Sequence, residues 1–452
     1  MENRDLTIGE PGKVIRSYSL PLFGSMFFQQ LYTLADSFVA GRFIGENALA
    51  SIGNGYEITL LFIAFATGCS TGCSVNAARH FGAKDYKKVR TAITTALLST
   101  AVMCALLMTL GFFGSPFLLH LIHTPEMLLA DSLTYLRIYA GGLGFMFLYN
   151  VSTGIFSALG DSKTPFCFLA ISSTANIFLD ILFVAQFDMD VAGVGWATFL
   201  CQGAACVPAA LVVLKKFRKL PTEKAPLVTK ESLFDFIYVA IPATLQQGII
   251  VTGNMIIQGV VNLYGAAVTA GYSVAVKLIN LTTGCFGTIG NGFTNYTSQN
   301  LGAGKPERVR AGFWASTRIV WCIALASCLL CEFFPTTLVK LFLADPTDVV
   351  MQTAVEFLRI AAPFYFAPAI KIICDGFFCG AKQMWMVVFS LGMDLGLRAG
   401  IAAACSAIFK TAFSVWFAWP VGWVIAAIIT LCIYHERISK MAGSRKIAKN
   451  AN

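Results

Sequence analysis

An asparagine and an aspartate lie four residues apart inside a long apolar stretch of this chain. The stretch runs from residue 166 to residue 187, and within it Asn176 and Asp180 fall on one face of a predicted helix. A second acid, Asp36, lies in another apolar stretch, and neither aspartate has a Lys or Arg one turn away. A desolvated carboxylate without a basic partner takes up a proton or binds a cation. These residues predict a proton or cation site, or else interhelical hydrogen bonds that hold a bundle together.

Two further sets of charged residues in apolar stretches have a different pattern. Lys371 and Asp375 are four residues apart, and Asp394 and Arg398 repeat that spacing. Opposite charges at this spacing on a helix can neutralise each other, so we expect two structural ion pairs. The alternative is that the four residues line a cavity, where they contact a substrate or exchange partners as the protein changes conformation.

The elements that position these residues are predicted to be membrane helices. Of the 452 residues, 56% are hydrophobic and 13% charged, and the mean hydropathy is +0.69, outside the range of ordinary soluble domains. Apolar runs of about 20 residues or more, the length that spans a bilayer, recur along the whole chain. The twelve predicted spans are 14–41, 47–78, 91–117, 127–158, 164–186, 191–214, 233–262, 266–298, 308–334, 349–380, 384–409 and 411–434.

The basic residues predict how these spans are oriented. Most of the 33 Lys and Arg residues fall in alternate connections and in the two tails, whereas Arg42, Lys340 and Lys410 fall in the other set. Such asymmetry indicates that both termini face the cytoplasm. A nucleic-acid partner is not expected despite the net charge of +9, because no soluble segment is long enough to form a folded basic face.

The chain contains an internal repeat. Residues 80–90, "HFGAKDYKKVR", align with residues 300–310, "NLGAGKPERVR", at an offset of 220. The repeat predicts two six-helix lobes, residues 1–219 and 220–452, with a cytoplasmic linker at 215–230. Because six is even, both lobes enter the membrane in the same direction, related by a pseudo-two-fold axis along the membrane normal. This all-α architecture is typical of transporters.

Three further residues are candidates for roles in transport, two of them because of the repeat. Glu57 and Lys277 occupy equivalent positions at the offset of 220, and we expect them to act as substrate or gating contacts. Pro21 lies within the first span, fifteen residues before Asp36. A proline there removes a backbone hydrogen bond, so Pro21 predicts a helix bend that the charge state of Asp36 controls.

Three segments carry a resemblance to a known family. They are "SLPLFGSMFFQQLYTLADSFVAGRFIG" from Ser19, the repeated "GAKDYKKVR" and "GAGKPERVR", and "ALGDSKTP" at 158–165. With these segments the chain resembles the multidrug and toxic compound extrusion (MATE) family, and among its branches the bacterial DinF-like group.

The resemblance implies an antiporter of the bacterial inner membrane. It would export amphiphilic, often cationic, organic compounds in exchange for inward protons or sodium ions, without a cofactor. The family's amino-lobe cation site matches Asp36, Asn176, Asp180 and Thr198, which supply only oxygen ligands and so suit a hard cation such as sodium. A second site in the other lobe would use Asp375 in the tenth predicted span, but the seventh, 233–262, has no acid beyond Asp235 near its start to complete it.

Two other functions remain open at this stage. A flippase for lipids or lipid-linked oligosaccharides has a related architecture, but it would need a strongly cationic cavity. An integral-membrane enzyme would need clustered catalytic polar residues, and the four histidines are scattered over loops and the tail. We expect a monomer in the bilayer that binds small amphiphilic molecules.

Overall fold

The structure is a computed structural model that describes residues 4–39, 43–44, 46–122, 124–222, 224–343 and 346–450. Within these ranges the side chains of residues 32–38, 46–50, 57 and 442–450 are not described. The described residues form α-helices, short turns and no strand, which confirms the all-α fold. The helices are α1 Pro11–Val39, α2 Glu46–Gly82, α3 Tyr86–Phe113, α4 Ser115–Leu121, α5 Glu126–Gly141, α6 Leu143–Ala158, α7 Lys163–Ile181, α8 Asp190–Arg218, α9 Lys230–Asn262, α10 Ala266–Gly302, α11 Pro306–Phe333, α12 Pro335–Lys340, α13 Asp348–Ala361, α14 Phe366–Gly380, α15 Met384–Phe409, α16 Ala412–Trp416 and α17 Ala418–Asn450.

Each of the twelve predicted spans corresponds to one of these helices or to two in succession. Eight spans in the described part of the chain are long and apolar enough to cross a membrane, and α13 with α14 forms a ninth that is bent by 56°. Pro363 lies in the 3₁₀ turn between α13 and α14. A proline removes a helix hydrogen bond and clashes with the preceding turn, which accounts for the bend. The predicted span 127–158 is likewise interrupted, at Gly142 between α5 and α6.

The internal repeat is visible in the helix boundaries. The bounds of α10 match those of α2, and the bounds of α11 match those of α3, at the same offset that relates the two sequence segments. The packing repeats as well, because α2 contacts α3, α5 and α6, and α10 contacts α11, α13 and α14. The halves of the chain therefore build the same arrangement of helices from different sequences.

A close helix contact recurs in both halves and requires glycine. A Cβ atom on Gly154 of α6 would lie 2.5 Å from the carbonyl oxygen of Ser70 of α2. A Cβ atom on Gly376 of α14 would lie 2.7 Å from the carbonyl oxygen of Gly290 of α10. Real Cβ atoms do not approach backbone oxygens this closely, so glycine at both positions permits the helices to touch.

The described chain divides into two compact units. Unit 1 consists of Met1–Leu6 and Leu20–Thr244, and unit 2 of Thr7–Ser19 and Leu245–Asn452. Of the three internal boundaries, one follows Leu6 before α1, and the other two fall inside continuous helices, α1 and α9, close to Pro21 and Pro242. The units differ from the predicted lobes in the assignment of residues 7–19 and 220–244. The lobe boundaries and the bend at Pro21 stay predictions.

Each unit has its own apolar core. In unit 1 the core includes the fully buried rings of Phe62, Phe147 and Phe156. In unit 2 the rings of Phe313 and Tyr434 stack with centroids 4.0 Å apart, and Phe377 packs edge-on against Tyr434. These packed cores hold the polar residues described below in fixed positions.

Candidate functional site

Three of the predicted cation-site residues lie inside unit 1. Asn176 and Asp180 are on α7, one turn apart, and Thr198 is on α8, which packs against α7. Their side chains are 1%, 0% and 3% exposed, respectively. The helix continues past Asp180 as a π-helical turn, Leu182–Gln186, a distortion that is frequent at functional sites. The side chains of Asp36 and Glu57 lie outside the described residues.

The burial of Asp180 determines what this site can do chemically. An ionised aspartate at membrane depth costs about 2.5 to 3.5 kcal/mol on insertion scales. The only cation on α7 is Lys163 at its first position, more than four turns before Asp180. Nearby amide and hydroxyl oxygens on Asn176 and Thr198 could share a hard cation with the carboxylate. The site thus has the composition for either a proton or a sodium ion.

The ion pairs predicted from the i, i+4 spacing are formed in unit 2. Lys371 Nζ lies 2.8 Å from Asp375 Oδ2, and this leaves Asp375 Oδ1 without a hydrogen-bond partner among the described side chains. Arg398 Nε lies 3.2 Å from Asp394 Oδ1 as an ionic contact, and its Nη2 donates to Oδ2 at 3.4 Å. The Arg398 guanidinium also stacks over the Trp419 ring at 4.6 Å. Their roles in substrate contact or gating stay predictions.

A third buried pair, in unit 1, was not predicted from sequence. Asp161 in the turn before α7 accepts hydrogen bonds from the backbone N–H of Thr164 at 3.0 Å and from its hydroxyl at 2.6 Å. Lys216 Nζ, from the end of α8, lies 2.9 Å from Asp161 Oδ2. Burial opposes ionisation, but the contacts from Thr164 and Lys216 outweigh it and lower the pKa of Asp161. The capping pattern "DSKT" signals the first contact, whereas nothing local signals Lys216.

The segment between α8 and α9 accepts hydrogen bonds from side chains of α3 within unit 1. The hydroxyl of Thr91 donates to the carbonyl of Pro226 at 2.9 Å, and that of Thr94 donates to the carbonyl of Leu227 at 2.6 Å. Arg90 donates to the carbonyl of Thr222 at 3.2 Å. The first part of α9 itself packs against α2, since Ala240 lies close to Gly68 and Gly72.

The fold and these residues define a class of protein. Repeated helical bundles with carboxylates and ion pairs buried at membrane depth are typical of multi-pass membrane transporters. Two matches to the MatE family model then cover residues 21–182 and 242–404. The two matched ranges begin at the prolines Pro21 and Pro242, in agreement with the internal repeat. The chain belongs to the MatE family, and it is a transporter rather than an enzyme.

Several known proteins are similar to this chain over most of its length. A probable multidrug resistance protein of Bacillus subtilis, YpnP, is 29% identical over 86% of each chain. The FAD transporter of Shewanella oneidensis is 24% identical over 76% of this chain and 78% of its own. The solved structure of a MOP superfamily transporter from Pyrococcus furiosus has a TM-score of 0.92 at 21% identity, covering 98% of this chain and 99% of that one. The family resemblance is confirmed, and the DinF-like branch stays a prediction.

Proposed function

We propose that this transporter is a secondary active exporter of amphiphilic, often cationic, organic compounds, driven by the inward movement of protons or sodium ions. The observation that carries this proposal is the carboxylate of Asp180, which is fully buried in unit 1 on a helix whose only cation is at its far end. Keeping a carboxylate in this position costs stability, and the cost is explained if the group binds and releases a cation during transport.

The coupling ion would bind to oxygen atoms. Asp36, Asn176, Asp180 and Thr198 form the proposed ligand set for sodium, and the two aspartates alone suffice for protons. For exchange to be coupled, the bound cation must change the affinity for the exported compound or the balance between the two facings. Neutralising Asp180 by either ion provides such a change, since it removes a buried charge.

The descriptions of similar proteins support this proposal and suggest a second class of transported compound. YpnP is described as a probable multidrug resistance protein, and the Shewanella oneidensis relative as an FAD transporter. Multidrug export and transport of a dinucleotide share a need for a large polar and apolar cavity. We place the chain in the bacterial inner membrane as a monomer. The distribution of its basic residues supports an orientation with both termini in the cytoplasm.

The test is efflux of ethidium, a fluorescent organic cation, from proteoliposomes. A pH gradient and a sodium gradient are imposed separately on vesicles with wild type, Asp180→Asn or Asp188→Asn. Asp188 is an exposed acid in the turn after α7 and serves as the matched control. We expect one gradient to drive efflux in wild type and in Asp188→Asn, and neither to do so in Asp180→Asn.

The outcomes separate the alternatives. If Asp180→Asn transports as fast as wild type under the same gradient, Asp180 is not the coupling residue. If neither gradient moves ethidium with folded wild-type protein, export of organic cations is wrong. Scrambling of a fluorescent lipid in the same vesicles would then favour a flippase.

A further inference from the structure

A row of amide side chains runs along the unit 2 part of α9. Its members are Gln247, Asn254, Gln258 and Asn262, whose spacings of seven, four and four residues place them on one face of the helix. Gln258 Nε2 donates to Asn262 Oδ1 at 3.0 Å, and Asn262 is exposed while the others are half-buried. This face is therefore polar, half-buried along most of its length and exposed at its end.

A matching polar row begins at the start of α10. Its members are Thr269, Ser273, Lys277 and Asn280, again on one face of the helix. The two rows meet where the hydroxyl of Thr269 donates to Asn262 Oδ1 at 3.3 Å. Lys277 and Asn280 are exposed. We call the two rows together the amide face of unit 2.

Lys277 is the single charged residue between residues 245 and 302. It lies eleven residues into the predicted span 266–298, about 16 Å from the start of α10 at 1.5 Å per residue. No described carboxylate pairs with it. An exposed ammonium this far into a predicted span is too costly to face hydrocarbon, which favours contact of Lys277 with water or with a polar ligand.

We propose that the amide face of unit 2 binds the anionic group of transported compounds, with Lys277 as the charge-bearing residue. The ligands would be organic anions and zwitterions that carry a phosphate or carboxylate, a class that includes dinucleotides. Lys277 supplies the charge-assisted hydrogen bond, and the amide of Asn280, which follows it on the exposed face of α10, supplies a donor to a remaining oxygen. This assignment rests on the proposed function, because it specifies a substrate class for the same transport path.

The residue at the equivalent repeat position differs in charge from Lys277. The equivalent of Lys277 in the first half is Glu57, so the sequence has a cation in one half and an acid in the other at the same repeat position. An exporter of organic cations alone would gain nothing from a lysine on its path, since like charges repel. A lysine is of use to substrates that also carry a negative group.

Binding is measured first, because it does not depend on transport. Purified full-length protein in detergent is titrated with FAD and, separately, with ethidium. We expect Lys277→Ala to weaken FAD binding about tenfold or more, since a hydrogen bond to a charged group is lost. Lys277→Arg should retain most of the affinity, and ethidium binding should not weaken in either variant. Lys340→Ala is the matched control, because Lys340 is an exposed lysine at the end of α12.

The results distinguish this assignment from the proposed function. Equal FAD affinity in Lys277→Ala and wild type would overturn the assignment, as would a wild type that binds ethidium but not FAD. A parallel loss of FAD and ethidium binding in Lys277→Ala would make Lys277 structural and overturn it too. If wild type binds FAD but moves no probe under either gradient, the assignment stands and the proposed exporter fails.

Discussion

Units 1 and 2 repeat the same helix arrangement but treat buried charge in different ways. The glycine contacts at Gly154 and Gly376 are equivalent in the two units. In contrast, Asp180 of unit 1 lies on a helix whose only cation is at its far end, whereas the acids of α14 and α15 in unit 2 each pair with a cation one turn away. The buried pair of unit 1, Asp161 with Lys216, joins two elements instead. The backbone packing is thus common to both units, while the charges have diverged.

This difference has a physical consequence for function. A buried carboxylate that is paired with an ammonium or guanidinium is already neutralised and has little tendency to take up another cation. The helix of Asp180 offers an amide oxygen one turn away, on Asn176, in place of a cation, and this suits the binding of a proton or a sodium ion. The comparison therefore favours unit 1 as the unit that binds the coupling ion, with the charges of unit 2 held in ion pairs.

The largest loss of stability is expected when an ion pair of unit 2 is broken. Asp394→Asn leaves the Arg398 charge buried without a carboxylate, which should cost about 3 to 5 kcal/mol of stability. Asp180→Asn removes a desolvated charge from unit 1 and leaves no cation unpaired on its own helix, so its melting temperature should fall much less than that of Asp394→Asn. Thermal unfolding in detergent measures both. The double variant Asp394→Leu with Arg398→Met should recover most of the loss, and an unstable Asp180→Asn would contradict the contrast.

Substitution at either of the two repeated glycine contacts is expected to cost less stability, and about the same amount in the two units. Gly154→Ala and Gly376→Ala each place a methyl group against a backbone oxygen, and each should cost about 1 to 3 kcal/mol. Gly144→Ala and Gly287→Ala are controls, because their Cβ atoms would meet nothing within 4 Å. The same unfolding assay applies. A loss at only one of the two contacts would show that the packing has diverged as well.

The smallest change in stability is expected at Asp161, and it depends on pH. The turns before α7 and α15 are equivalent, because Asp161 N–H donates to the Phe156 carbonyl at 2.9 Å and Gln383 N–H to the Phe378 carbonyl at 2.7 Å. The lowered pKa of Asp161 stabilises unit 1 above the ordinary aspartate pKa, and this contribution is lost as pH falls through the folded-state value.

Asp161→Asn should therefore cost about 2 kcal/mol at neutral pH and progressively less below about pH 4. Gln383→Ala is the comparison in unit 2, where no charge is involved and the cost should not vary with pH. Melting temperatures between about pH 3 and pH 7 provide the measurement. A difference between Asp161→Asn and wild type that stays constant over this range would show that the Lys216 contact is not an ion pair in solution.

Hydropathy and the repeat were sufficient to predict the fold. Long apolar runs predicted the spans, and the equivalence of segments 80–90 and 300–310 corresponds to helices with matching bounds in the two halves. The breaks within four spans were missed, because residues such as glycine and proline inside an apolar run do not reveal whether the helix merely bends or ends. The i, i+4 pairs were predictable since both partners lie on one helix. The Asp161 pair was not, because Lys216 lies far along the chain, at the end of another helix.

The most direct test of the contrast between the units is ion release on substrate binding. Ethidium is added to purified protein in weakly buffered detergent solution, with a pH indicator and a sodium electrode recording released ions. Wild type and the charge-neutral variant Lys371→Gln with Asp375→Asn should release protons or sodium, and Asp180→Asn should release neither. Release from Asp180→Asn equal to that of wild type would contradict the assignment of the coupling ion to unit 1.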